Sequence, residues 1–150
     1  MYKRRLTLPE GQARTCLCYD LPLPVRSQIA DEVEYFRSYY KGLRPTVFLS
    51  YEREAFYALD GGDLRVTFDE NILYRTRDLS LGSEAYGTPL LAEGQTLMEM
   101  KTSGGLPLWM SHELNRLRVF QTTFSKYGMA YRHMMTTSEA DDTRRDCYVC

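Results

Sequence analysis

No apolar stretch in this chain approaches the roughly 20 residues a helix needs to cross a bilayer, so nothing reads as a helical membrane span. An excess of charge is lacking too: 19 lysines and arginines face 20 aspartates and glutamates, for a formal net charge of −1. A protein that grips long nucleic acid with its whole surface neutralises many phosphates at once, so this balance argues against that class and confines any anion site to a local patch. Histidine is scarce. His112 and His133 lie in helical-looking stretches, without the cysteine or carboxylate pattern of a catalyst. The N-terminus carries basic residues but no apolar stretch of signal-peptide length, so cytoplasmic residence is the expectation. The four cysteines form Cys16-x-Cys18 and Cys147-x-x-Cys150. The first spacing is not that of a zinc knuckle, and reduced thiols are expected rather than a four-cysteine metal site. Internal repeats and a nucleophile motif are also absent.

What is present suits one compact α+β domain. At 150 residues, with 43% hydrophobic and 26% charged residues, the chain can bury a core but hardly two. Tyr2 to Leu8 is predicted as a strand carrying Lys3, Arg4 and Arg5, followed by a short helix from Pro9 and Glu10 to Cys18. Leu21-Pro22-Leu23-Pro24 interrupts it, because proline offers no amide and a fixed φ. Ile29, Val33, Phe36 and Tyr40 recur at spacings of three and four, predicting a helix over 26–40 that ends at Lys41-Gly42. From Pro45 the period becomes two, and Asp60-Gly61-Gly62-Asp63 marks a hairpin turn into a returning strand over 64–76. Residues 79–91 read as an irregular, exposed excursion. A strand over 95–101 and helices over 107–120 and 128–135 complete the pattern. The stretch 136–150 is polar and expected to be a disordered tail to a domain spanning 1–135.

The chemistry-bearing residues sit in the strands. Successive strand side chains point to opposite faces, so Tyr51 and Arg53 share a face, as do Arg65, Thr67 and Asp69, and likewise Glu99 and Lys101. A sheet face with several cations and a few carboxylates suits a polyanion: guanidinium grips phosphate bidentately and lysine acts as a point charge. Each strand alone has a plainer reading. Alternating charge is commonly a solvated sheet face, Glu99 can simply partner Lys101, Asp69 can orient an arginine, and Ser125-Lys126-Tyr127 can be a helix-flanking loop. The tyrosines and phenylalanines between 35 and 57 read as core rather than as a base-stacking surface.

Taken together, Lys3-Arg4-Arg5, Leu43-Arg44-Pro45, Ser50-Tyr51-Glu52-Arg53, Leu64-Arg65-Val66-Thr67-Phe68-Asp69, Glu99-Met100-Lys101, Pro107 with Trp109, and Ser125-Lys126-Tyr127 occur in a telling order. That order resembles the C-terminal portion of the VTC domain, the polyphosphate-polymerase member of the CYTH-like triphosphate tunnel metalloenzymes. The resemblance runs from residue 1 to about 135. It implies antiparallel strands forming part of a triphosphate-tunnel β-barrel, with helices packed outside. By the same resemblance Arg53, Arg65 and Lys126 act on the phosphates as catalytic residues. Lys3, Arg4, Arg5, Tyr51, Lys101 and Ser125 would bind substrate, and Glu99 would hold manganese or magnesium. The implied reaction moves the terminal phosphoryl group of ATP to a polyphosphate chain. A non-catalytic polyphosphate-binding module and a triphosphate hydrolase remain open beside it. Family members carry further strands N-terminal to the matched portion, so a complementary N-terminal half or self-association is an expected partner, alongside ATP and polyphosphate.

Overall fold

The computed structural model describes residues 3–137. Their architecture is α+β: four helices and one antiparallel sheet of four strands. Residues 3–9 do not form the predicted strand but run as irregular chain. Arg4 is drawn instead into an ion pair with Glu32, on the second helix. Helix α1 (Glu10–Cys18) and helix α2 (Gln28–Tyr39) follow, close to their predicted bounds. Ser27 caps α2 by accepting a hydrogen bond from the Ala30 amide at 3.2 Å, an interaction worth about 1 kcal/mol. The Leu-Pro-Leu-Pro connector is tied down by Arg37. Its guanidinium donates to the Cys16 and Leu21 carbonyls and pairs with Asp20 and Glu34. Gly42, at φ 81°, takes the left-handed position just past α2.

Strand β1 (Phe48–Tyr57) and strand β2 (Arg65–Arg75) form the hairpin that the Asp-Gly-Gly-Asp turn announces. Beyond β2, the two-residue β3 (Thr88–Pro89) and the longer β4 (Leu97–Lys101) both pair with it, so β2 is the central strand. Ser50 stands opposite Leu73 and Glu52 opposite Glu70, which leaves Asn71 and Ile72 together against Tyr51. This is a β-bulge, and Asn71 accommodates it at φ 48°, a conformation asparagine tolerates better than most residues. The extra residue resets the alternation of β2. Asp69 opposite Arg53 and Tyr74 opposite Leu49 consequently look out on the same face although they are five apart.

That face has two halves. Above the bulge, Ile72 and Tyr74 join Leu90 and Ala130 in the buried core, with Leu49, Met129 and Met134 packed around them. Helix α4 (Lys126–Thr137) supplies Met129, Ala130 and Met134, so it covers the apolar half. The other half carries the charges. On the reverse face Phe56 meets Phe68 edge-on at 5.8 Å. There the sheet and helix α3 (Leu108–Arg116) line an open apolar groove of about 980 Å³ with Val66, Met98 and Trp109 in its walls.

The segment 79–91 is irregular and largely exposed, as expected, but the loop leading into it is anchored from within. Arg75, 7% exposed, donates to the carbonyls of Asp78, Ser80, Glu84 and Tyr86 and lies over the Phe48 and Tyr86 rings. The loop is wrapped around a buried cation. The sheet itself stays open at β1 and β4 rather than closing on itself.

Candidate functional site

The charged half of the sheet face is built in three rows, each set by strand register. Tyr57, Arg65 and Lys101 form one; Ala55, Thr67 and Glu99 the next; Arg53, Asp69 and Leu97 the third. At about 3.3 Å per residue, the first and third rows lie roughly 13 Å apart along β2.

Asp69 is the hub of the third row. Its carboxylate is fully buried and accepts two hydrogen bonds from the Arg53 guanidinium, at 2.5 and 2.7 Å, and pairs with the Lys126 ammonium at 2.5 Å. The Arg53 bond, ahead of Lys126, pulls the Asp69 pKa below the usual carboxylate range despite burial, and Asp69 in turn raises that of Arg53. Both cations also lie on the Tyr51 ring, 5.0 and 4.7 Å from its centroid. Lys126 reaches this point because α4 starts there. The Ser125 hydroxyl accepts from the Gly128 amide at 3.1 Å and its carbonyl from the Met129 amide, so Ser125 begins the helix and Lys126 is its first residue.

Glu99, in the middle row, pairs with Lys101 at 2.9 Å and lies 3.8 Å from Arg53. Lys101, then Arg53 and Lys126, depress its pKa. The first row is different in kind. Arg65 and Lys101 stand directly opposite each other on paired strands. Like charges so placed repel unless an anion joins them. Arg65 Nε and Thr67 Oγ1, both buried, have no hydrogen-bond partner among the described residues. A buried donor left unpaired costs about 1–3 kcal/mol.

The structure therefore unites Tyr51, Arg53, Arg65, Glu99, Lys101 and Lys126 on one surface, with Ser125 at the base of the same helix terminus. It does not bring in Arg4, which is held by α2, and Lys3 and Arg5 are exposed in irregular chain, so the predicted cationic N-terminal strand is not part of this face. Two residues of the face were undervalued in the sequence. Asp69, taken there only as an orienter, organises two cations, and Tyr57, read as core, is 64% exposed beside Arg65. The period of two already placed both on this surface.

For a divalent metal the donor set is small. Among the described residues no group of three or more His, Cys, Asp and Glu side chains converges. Asp69 is saturated by its cations, which leaves Glu99 as one carboxylate ligand. One carboxylate fits a magnesium-like ion that draws most of its ligands from phosphate oxygens and water. Cys16 is a buried free thiol donating to the Pro22 carbonyl at 3.3 Å, whereas Cys18 is disulfide-bonded, which corrects the expectation of a reduced thiol there. Cys147 and Cys150, like the expected disordered tail, lie outside the described residues. No described helix is long and apolar enough to cross a membrane.

Among known families, the model of the VTC domain matches residues 3–135. No curated protein and no solved structure matches the chain.

Proposed function

The chain belongs to the VTC domain family, and from that premise we propose that its charged sheet face binds inorganic polyphosphate and the triphosphate of ATP and supports phosphoryl transfer between them. The observation that carries the reading is at Arg65: it faces Lys101 across the strand pair with no carboxylate partner among the described residues, and its Nε and the neighbouring Thr67 Oγ1 have no hydrogen-bond partner there. A phosphate oxygen supplies the partner that Arg65 Nε and Thr67 Oγ1 lack.

Phosphoryl transfer asks the protein chiefly for positioning and charge stabilisation. Arg65 and Lys101 hold the incoming phosphates. Arg53 and Lys126, pre-oriented on Asp69, meet the charge that builds up on the transferring group. Tyr51 keeps those two cations in place from the side. Glu99 would hold a manganese or magnesium ion, which would supply positive charge against that of the phosphates. Ser125 serves this site by starting α4 where Lys126 must stand.

A non-catalytic module is favoured by one observation. The sheet is open at both edges, so a tunnel closes around the polyanion only when strands are added at β1 or β4, from a complementary half or a second copy. Calorimetric titration of tripolyphosphate, with and without manganese, tests the shared anion site. Arg65→Ala/Lys101→Ala is expected to weaken binding more than tenfold, and equal affinity in the double variant would refute the reading. With ATP supplied, polyphosphate, free phosphate or no product separates polymerase, hydrolase and binding module.

A further inference from the structure

We infer that Tyr57 is the nucleobase platform of this site, so that a nucleoside triphosphate lies along the sheet with its base at the Tyr57 end and its terminal phosphate toward Arg53 and Lys126. The inference rests on the anion-site reading above and adds a direction and a specificity residue to it.

The two tyrosines of the face differ in what they have free. Tyr51 carries two cations against its ring, Arg53 and Lys126. Its π surface is committed to holding them. Tyr57 carries one, the Arg65 guanidinium at 5.4 Å, and is 64% exposed, so ring surface remains open to a second flat group. Arginine over one side of an aromatic ring leaves the other side suited to stacking, and base–aromatic stacking tolerates any base because every base has a π-face.

Position gives the ring its meaning. Tyr57 occupies the same row as Arg65 and Lys101, so a base on Tyr57 is immediately followed by Arg65, which has no carboxylate partner among the described residues, and then by Lys101, which shares its charge with Glu99. Ala55, next along β1 on this face and opposite Thr67, is small and places no bulky side chain between Tyr57 and Arg53. The third row, roughly 13 Å from the first along β2, ends the track at Arg53, Asp69 and Lys126. The charge gradient points the same way. The first row has no carboxylate of its own, and the third is already neutralised in part by Asp69. Phosphates nearest the base thus meet Arg65, and the terminal one meets the pre-oriented pair.

The test compares ATP and tripolyphosphate titrated into the wild-type chain, Tyr57→Ala and Tyr57→Phe. Stacking is worth about 1–3 kcal/mol per base, so Tyr57→Ala is expected to weaken ATP binding about tenfold or more while tripolyphosphate affinity stays within twofold. Tyr57→Phe, which keeps the ring, restores ATP binding. Equal loss for both ligands would mean that Tyr57 acts only by supporting Arg65, and no loss for either would remove it from the site; both results overturn the inference. A wild-type chain that binds tripolyphosphate but gains nothing from the nucleoside also overturns it and leaves the anion site standing. Failure to bind either ligand sinks the anion-site reading and this inference with it.

Discussion

Replacing Asp69 with asparagine removes a single charge from a place where two others depend on it. Asp69 is 0% exposed and receives both Arg53 nitrogens and the Lys126 ammonium. Asparagine keeps the volume but offers one acceptor oxygen and turns an amide nitrogen toward groups that only donate. Breaking a buried ion pair by deleting one partner costs about 3–5 kcal/mol. The side chains of Arg53 and Lys126 retain 26% and 18% exposure and recover some hydration, which favours the low end, about 3 kcal/mol. With a urea m-value of about 1.5 kcal/mol/M for a domain of this size, the midpoint should fall by about 2 M. Urea unfolding followed by far-UV circular dichroism at pH 7 measures it.

The pH dependence supplies a second arm. A carboxyl whose folded pKa lies below its ordinary value of about 3.9 contributes stability that is fully present above that value and is lost as pH falls through the folded pKa. Asp69 is shifted in that direction, chiefly by Arg53. The gap between wild type and Asp69→Asn should therefore be constant from pH 7 down to about 4 and close below it. A variant within about 0.5 kcal/mol of wild type at pH 7, inside the range of ordinary surface substitutions, would refute the account of Asp69 as the hub.

Two further perturbations probe how the sheet is held. Arg75→Met empties the carbonyl cage of the 76–87 loop and should cost about 3 kcal/mol or more, with limited proteolysis newly cutting inside that loop while β1 and β2 stay protected. In Gly87→Ala, a methyl group at φ 151° would be driven against the Tyr74 backbone carbonyl. Loss of more than about 2 kcal/mol is expected in thermal unfolding, and an unchanged melting temperature would show that β3 does not lie against β2 in this way.

Local pattern carried far in this chain. The switch from a spacing of three and four to a spacing of two located α2 and the hairpin, the Asp-Gly-Gly-Asp turn set their order, and alternation assigned Arg53, Arg65, Glu99 and Lys101 to one face. These features depend on neighbouring residues, and neighbours are what a linear chain displays. The N-terminal basic strand failed for the complementary reason. A strand exists only if another strand pairs with it, and Arg4 met a carboxylate on α2 instead.

The excursion over 79–91 is irregular and exposed as its residues indicate, but nothing in them reveals that Arg75 gathers carbonyls from it. Asp69 looked like a minor orienter because its two cations come from 16 residues earlier on β1 and from the start of α4. The bulge at Asn71 and Ile72 completes the separation. Strict alternation would send Asp69 and Tyr74 to opposite faces, and the one extra residue puts them on the same one, so the core that seats α4 also delivers Lys126 to the charged rows. Sequence period sets which way a side chain points, whereas register, bulges and helix docking set what it meets, because those are long-range agreements between segments that no single segment encodes.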